Sequence, residues 1–227
     1  IGVALFVWQL GGTGLVDETP PLFAAAGRAM SATGDWLTPR VNGLPRFDKP
    51  PLIYWLMGLV YSIPGQSDWD PLGTWAARLP SALSTVLMML LLGDTVMQWP
   101  QKGDCFPRRT AVATALAFGL SPLVMLWSRI AVSDALLCST LGMSFLFQWR
   151  CYADHLRQPW WLAWVFLGLA VLTKGPVALV LMAMTLVLFA ALRSEFEFLW
   201  KRLRLVSGLF ITALISVPWY AIELWVE

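Results

Sequence analysis

Charged residues, histidine and cysteine are all scarce in this chain of 227 residues. Asp, Glu, Lys and Arg make up 13% of it, histidine occurs once, and the formal net charge is +2. Because the charge is small and no basic run is present, a nucleic-acid partner is not expected. The three cysteines, Cys105, Cys138 and Cys151, lie far apart and form no CxxC pair. We therefore expect free thiols and neither a zinc site nor a disulfide framework.

Motifs for nucleotide binding are also missing. The chain contains neither a Walker phosphate loop nor a GxGxxG pattern, so no nucleotide site is expected. It has no internal repeat, which weakens the case for a transporter built from repeated halves. The single histidine, His155, lies in the charged loop ADHLRQP, and we expect no ligand role for it.

Apolar residues, in contrast, dominate the composition. They make up 58% of the chain, the mean hydropathy is +0.64, and fourteen residues are tryptophan. Such a composition is typical of a helical protein that crosses a membrane several times and argues against a soluble domain. The fold class that we predict is an all-α polytopic membrane protein.

Seven apolar segments are candidate membrane spans, at 1–10, 75–99, 111–127, 134–152, 160–172, 177–192 and 205–220. The loops 100–110, 153–159 and 193–204 are basic, so the positive-inside rule places them in the cytoplasm and residues 11–70 outside. Residues 1–10 are too short to span a bilayer and fit the distal end of a first transmembrane helix. We expect residues 71–227 to hold the second to seventh spans, and the C-terminal remainder of a larger protein to be absent.

The external loop concentrates the polar chemistry of the chain. Its charged residues are Asp17, Glu18, Arg28, Asp35, Arg40, Arg46, Asp48 and Lys49. Six prolines stiffen it, and stiff segments hold charges at set positions. We predict short helices at 19–30, with Thr19 as N-cap, and at 52–63 in an interfacial or re-entrant position. Their apolar and aromatic side chains are expected at the membrane surface; these are Leu22, Phe23, Ala26, Met30, Tyr54, Trp55 and Tyr61.

Charges at the predicted outer ends of the spans form a second group, Arg78, Arg129, Asp134 and Lys174. Charge near the membrane is costly and usually pairs or functions. Because the face opposite the basic loops is normally poor in cations, those retained there indicate an anionic ligand such as phosphate. Structural alternatives stay open: Arg78 and Lys174 as snorkelling cations, Arg129 with Asp134 as an ion pair, and Asp17-Glu18 as solvated caps.

The segment GLVDETPPLFAAAGRAMSATGDWLTPRVNGLPRFDKPPLIYWL resembles the first external loop of the GT-C class of polyprenyl-phosphate-dependent glycosyltransferases. In pattern it is similar to the aminoarabinose lipid A transferases and the dolichyl-phosphate-mannose protein mannosyltransferases. WAARLPSAL, RIAVSDALL and LTKGP follow in the matching order. The resemblance implies a GT-C transmembrane module in the plasma (inner) membrane. It also implies inverting transfer of a sugar from a polyprenyl-phosphate donor to a lipid, glycan or protein acceptor on the outer, periplasmic face.

Residue roles follow from the same resemblance. It implies that Asp17, in the pair with Glu18, is the catalytic base and that Lys49 contacts the lipid phosphate. Asp48, where the family more often has Glu, would contribute to a divalent metal site, the one candidate cofactor. We add Arg78, Arg129 and Lys174 as donor-binding cations and Asp134 as a supporting acid. The alternative is a transporter or flippase of a lipid-linked anion, which needs the cations but no general base.

Overall fold

The structure of the protein, a computed structural model, describes residues 2–153 and 158–226. His155 lies outside the described residues. The described part is helical apart from one short hairpin. Its elements are α1 (Gly2–Val7), α2 (Thr19–Thr33), β1 (Arg40–Val41), β2 (Leu44–Pro45), α3 (Leu52–Tyr61), α4 (Gln66–Trp69), α5 (Thr74–Gln98), α6 (Pro107–Gly119), α7 (Pro122–Trp127), α8 (Ser133–Ala153), α9 (Trp160–Lys174), α10 (Val177–Arg193), α11 (Phe196–Leu203) and α12 (Leu205–Val226).

The chain divides into two compact units, Ile1–Ser139 and Thr140–Glu227, with the boundary inside α8. The first unit contains α1 to α7 and the hairpin, and α9 to α12 belong to the second. The predicted free thiols are confirmed, because none of the three cysteines is in a disulfide.

Helices α2 and α3 form the core of the long loop by packing against each other. Phe23, Met30 and Tyr54 are almost completely buried, and the rings of Phe23 and Tyr54 stack with centroids 5.3 Å apart. The helices approach closely at Gly27, where a Cβ would lie 2.7 Å from the Met57 Cβ. The expectation of a position against the membrane surface was therefore wrong for the buried side chains, which are Phe23, Ala26, Met30 and Tyr54. Leu22 is half-buried, and its position at the membrane surface stays a prediction.

The aromatic residues of α3 share this outcome. Tyr61 is 8% exposed and donates its hydroxyl to the Gly73 carbonyl at 2.7 Å. Trp55 donates its indole N–H to the Trp36 carbonyl at 2.6 Å. The polar tips of Tyr61 and Trp55 are satisfied by backbone of the same unit, which removes their need for a headgroup partner.

A hairpin with a two-residue turn follows α2. Asn42 and Gly43 both have positive φ, 53° and 80°, as a type I′ turn requires. Arg40 pairs with Pro45 and Val41 with Leu44 in the antiparallel register. The hairpin returns the chain to Asp48 and Lys49, directly before α3.

The helices differ from the predicted ones in their ends and breaks, and these differences occur beside prolines. Thr19 is the first residue of α2 and not its N-cap, a position that Glu18 takes without a side-chain cap bond. The segment 111–127 is broken before Pro122, where Ser121 has an extended backbone with ψ 131°, because a proline disfavours the helical region for the residue before it. Pro218, in contrast, lies inside α12, which continues to Val226.

Within residues 2–153 and 158–226, two helical stretches, Thr74–Gln98 and Leu199–Val226, are long and apolar enough to cross a membrane. The bounds of α8, α9 and α10 agree with the predicted segments to within two residues. The count of seven spans and the external position of residues 11–70 stay predictions.

Close packing of α9 and α12 holds the second unit together. The indole of Trp164 lies directly over Gly208, where any Cβ would overlap it. Its Nε1–H donates to the Leu203 carbonyl at 3.1 Å, and the Thr212 hydroxyl donates to the Trp164 carbonyl at 3.0 Å.

Candidate active site

A cavity of about 760 Å³ in the first unit contains four of the predicted site residues. It lies among the end of α1, the loop that follows it, the first turns of α5 and the connection from α7 to α8. The charged residues that line it are Asp17, Arg78, Arg129 and Asp134. Apolar side chains of the loop after α1, of α7 and of the connection to α8 complete the cavity. They are Leu10, Val16, Met125, Leu126, Trp127, Ile130 and Val132. The cavity therefore joins opposite charges to a surface that suits a sugar or a lipid.

Asp17 enters this cavity on an unusual backbone. Its φ is 82°, in the left-handed region that non-glycine residues occupy rarely and that short polar side chains tolerate best. Its Oδ1 accepts a hydrogen bond from the Glu18 N–H at 2.8 Å. No described donor is bonded to Oδ2, so this oxygen can accept a proton or a hydrogen bond from a substrate.

Arg78 is buried and points its guanidinium at backbone oxygens of the loop after α1. Nη1 donates to the carbonyls of Leu10 at 2.7 Å and Thr13 at 2.9 Å, and Nη2 donates to the Gly14 carbonyl at 2.8 Å. Burial and these bonds make a simple snorkelling role a poor description of this side chain.

Arg129 also binds backbone carbonyls, at the end of α1 and directly after it. Nη1 donates to the Leu5 carbonyl at 2.8 Å and Nη2 to the Trp8 carbonyl at 3.0 Å. Leu5 lies in the last turn of α1 and Trp8 directly follows the helix, where its dipole favours a cation. Each nitrogen has one bond to this backbone, so Arg129 keeps N–H donors for an anion in the cavity.

The first turns of α5 are oriented by Asp70, a residue that the sequence analysis did not single out. Its buried carboxylate accepts N–H bonds from Thr74 at 3.1 Å and Ala76 at 2.9 Å. A carboxylate is favourable at a helix N-terminus, so Asp70 holds the turn that carries Arg78.

Asp134 is the fourth predicted residue of the cavity, whereas Glu18 and Lys174 do not line it. Glu18 is exposed at the start of α2 and does not line the cavity. Asp134 lines it from the first turn of α8, where its charge complements the helix dipole. Lys174 is the last residue of α9, in the second unit, and is half-buried.

Asp48 and Lys49 form a separate cluster with Arg46, which the sequence analysis did not select. Asp48 Oδ2 lies 3.2 Å from Arg46 Nη2, and Asp48 Oδ1 lies 3.3 Å from Lys49 Nζ. Neither residue of the pair lines the cavity around Asp17. Tyr54 packs at the same place, and burial raises the pKa of its phenol, against the opposing effect of Arg46.

The donor set around Asp48 does not fit a divalent metal ion. Both carboxylate oxygens already face cations, and a hard cation requires several oxygen ligands. Among residues 2–153 and 158–226, no three His, Cys, Asp or Glu side chains are grouped so that they could hold a metal. The carboxylate of Asp48 instead orients the Lys49 ammonium.

The chain has relatives among known proteins. The chain is 28% identical over 221 residues to the undecaprenyl phosphate-α-4-amino-4-deoxy-L-arabinose arabinosyl transferase 1 of Pseudomonas fluorescens, covering 92% of this chain and 36% of that protein. It is 33% identical over 215 residues to an uncharacterized protein of Aquifex aeolicus, covering 94% and 44% of the two chains. The chain thus spans less than half the length of these relatives.

Solved structures show the same fold. The crystal structure of ArnT from Cupriavidus metallidurans bound to undecaprenyl phosphate matches with a TM-score of 0.85 and 28% identity. The match covers 97% of this chain and 39% of that one. The apo structure of the same protein matches with a TM-score of 0.84. Residues 48–221 also match the family described as dolichyl-phosphate-mannose-protein mannosyltransferase. The chain therefore belongs to this family of GT-C membrane glycosyltransferases.

Proposed function

We propose that the full-length protein transfers a sugar from a polyprenyl-phosphate donor to a hydroxyl of a lipid, glycan or protein acceptor on the outer face of the inner membrane. One observation carries the proposal. The fold of ArnT bound to undecaprenyl phosphate extends over 97% of this chain, and within that fold the chain forms a cavity that joins a carboxylate to arginines. Because the chain spans about two fifths of that structure, activity is proposed for the whole protein.

The proposed reaction is a single displacement. The hydroxyl oxygen of the acceptor attacks the anomeric carbon of the sugar, and Asp17 Oδ2 accepts the proton of that hydroxyl. The bond from that carbon to the donor phosphate oxygen breaks, and the lipid phosphate leaves with the electron pair. Attack from the face opposite the leaving group inverts the anomeric carbon.

Cations stabilise the leaving phosphate in this proposal. Arg129 presents its remaining N–H groups to the cavity, and charge-assisted bonds to phosphate are strong. Lys49, oriented by Asp48, contacts the donor phosphate at the start of α3.

A transfer assay on the full-length protein in lipid vesicles tests this function. Labelled sugar on a polyprenyl-phosphate carrier is offered to a membrane extract, with Asp17→Asn and Lys49→Ala compared with wild type. We expect Asp17→Asn to lower transfer by about 10²- to 10⁴-fold while donor binding survives, since it removes a general base. Lys49→Ala should weaken donor binding.

Matched variants control for charge. Asp68→Asn removes an exposed acid of the same loop, and Lys201→Ala removes an exposed cation near Glu197; both should transfer like wild type. Wild-type protein that binds the donor but moves no sugar would contradict the transferase and favour the flippase.

A further inference from the structure

Arg78 has few hydrogen-bond donors left for a ligand, although its sequence position suggests a phosphate contact. A guanidinium carries five N–H donors. Both hydrogens of Nη1 are directed at the Leu10 and Thr13 carbonyls, and one of Nη2 is directed at Gly14. Nε is buried without a hydrogen-bond partner among the described residues and is closed to solvent. Two N–H groups, one on Nε and one on Nη2, therefore make no bond to the described residues. Because the first is closed to solvent, the guanidinium can offer the cavity a single N–H and not the paired bonds by which arginine usually recognises phosphate.

The oxygens that Arg78 binds belong to the segment that leads into Asp17. Leu10, Thr13 and Gly14 precede Asp17 by seven, four and three residues. This segment contains Gly11, Gly12 and Gly14 and has no helix or strand of its own. Glycine gives a chain the widest choice of conformations, so external contacts must fix its path.

A second contact comes from the same face of α5. Thr74, four residues before Arg78, donates its hydroxyl to the Gly11 carbonyl at 3.2 Å. Residues four apart lie on one side of a helix. The first turns of α5 therefore bind four carbonyls of the segment, those of Leu10, Gly11, Thr13 and Gly14.

Asp17 depends on such a hold because of its backbone. A left-handed conformation is unfavourable for a non-glycine residue and persists where the surroundings impose it. We infer, on the basis of the proposed function, that Arg78 is a positioning residue: it fixes residues 10–14 so that the Asp17 carboxylate faces the acceptor hydroxyl, and Arg129, not Arg78, binds the donor phosphate.

Steady-state kinetics of Arg78→Lys in the full-length protein test this inference. A lysine ammonium is compact and cannot reproduce the fork that spans the three carbonyls. Misplacement of a catalytic group by about 1 Å can cost about 10²-fold, so kcat should fall about 10- to 100-fold. The Kd for a polyprenyl-phosphate probe should stay within about twofold. Arg129→Lys should instead raise that Kd.

Thr74→Val provides a milder variant in case Arg78→Lys folds poorly. It removes the bond to Gly11 and should lower kcat by a smaller factor, again without a change in Kd. Protease cleavage in residues 10–16 should become faster in both variants. A raised Kd with unchanged kcat in Arg78→Lys would overturn the inference, as would unchanged kcat and cleavage in both variants.

The two proposals fail in different ways. If wild-type protein moves no sugar, the proposed function falls, and faster cleavage of residues 10–16 in Arg78→Lys still shows the hold on the segment. If wild-type protein moves sugar and Arg78→Lys loses donor binding alone, the transferase stands and the positioning role falls.

Discussion

At the scale of single residues, short acidic side chains organise the backbone of the long loop. Asp35 accepts the N–H groups of Leu37 and Thr38 at 3.1 and 3.2 Å and the Nε–H of Arg40 at 3.3 Å. Asp70 does the same at the start of α5. Neither residue was a candidate in the sequence, because such bonds depend on local backbone geometry.

Asp35 gives a prediction about pH. Burial opposes its charge, but the N–H groups of Thr38 and Leu37 and the Arg40 guanidinium outweigh burial and hold the pKa of the carboxyl below its usual value. A lowered folded-state pKa adds stability above about pH 4, and this stability is lost as the pH falls through the folded-state value. Asp35→Asn should therefore lower the free energy of unfolding by about 1 kcal/mol at pH 7. The effect is no larger because solvent screens the charge of this half-exposed group.

Thermal unfolding in detergent between pH 7 and pH 3 measures this effect. The difference between Asp35→Asn and wild type should shrink towards acid pH. Asp104→Asn is the control, since Asp104 accepts one backbone N–H, that of Phe106. A difference that stays constant down to pH 3 would show that the charge of Asp35 contributes nothing.

At the scale of elements, glycines set how closely the helices pack. Gly27 lies at the crossing of α2 and α3, where its Cβ would come within 2.7 Å of the Met57 Cβ. Gly93 lies within α5 and faces α6, where a Cβ would make an ordinary contact of 3.5 Å with the Ala115 Cβ. The same residue type therefore has different importance at the two crossings.

Substitution by alanine should separate these two glycines. Alanine favours a helix by about 1 kcal/mol over glycine, so Gly93→Ala should keep or raise the unfolding temperature. Gly27→Ala adds overpacking worth about 1–3 kcal/mol and should lower it. Thermal unfolding of the two variants in the same detergent is the measurement, and a stabilised Gly27→Ala would contradict the packing of α2 on α3.

At the scale of the whole molecule, three basic loops predict the orientation in the membrane. Labelling of single cysteines in intact cells tests it, in a full-length protein whose Cys105, Cys138 and Cys151 are replaced by serine. Ser67→Cys, exposed in α4, should react with a membrane-impermeant reagent. Gln101→Cys, exposed in a basic loop, should react only after permeabilisation, since the positive-inside rule keeps it in the cytoplasm. The reverse pattern would place the active site inside.

The sequence by itself determined the helical, membrane-type composition, the bounds of α8 to α10 and the family. Hydropathy and helix length are local properties, so they can be read along the chain. The pairs Asp17-Glu18 and Asp48-Lys49 were likewise visible, as neighbours in a loop rich in charge.

Tertiary structure decided what each apolar face and each cation contacts. An apolar stripe on α2 is equally suited to lipid or to another helix, and the close approach at Gly27 selected α3. Arg78 has the same charge whether it faces a phosphate or carbonyls. Its role depends on residues 64 to 68 positions away in the chain, and a contact at that separation exists only once the chain has folded.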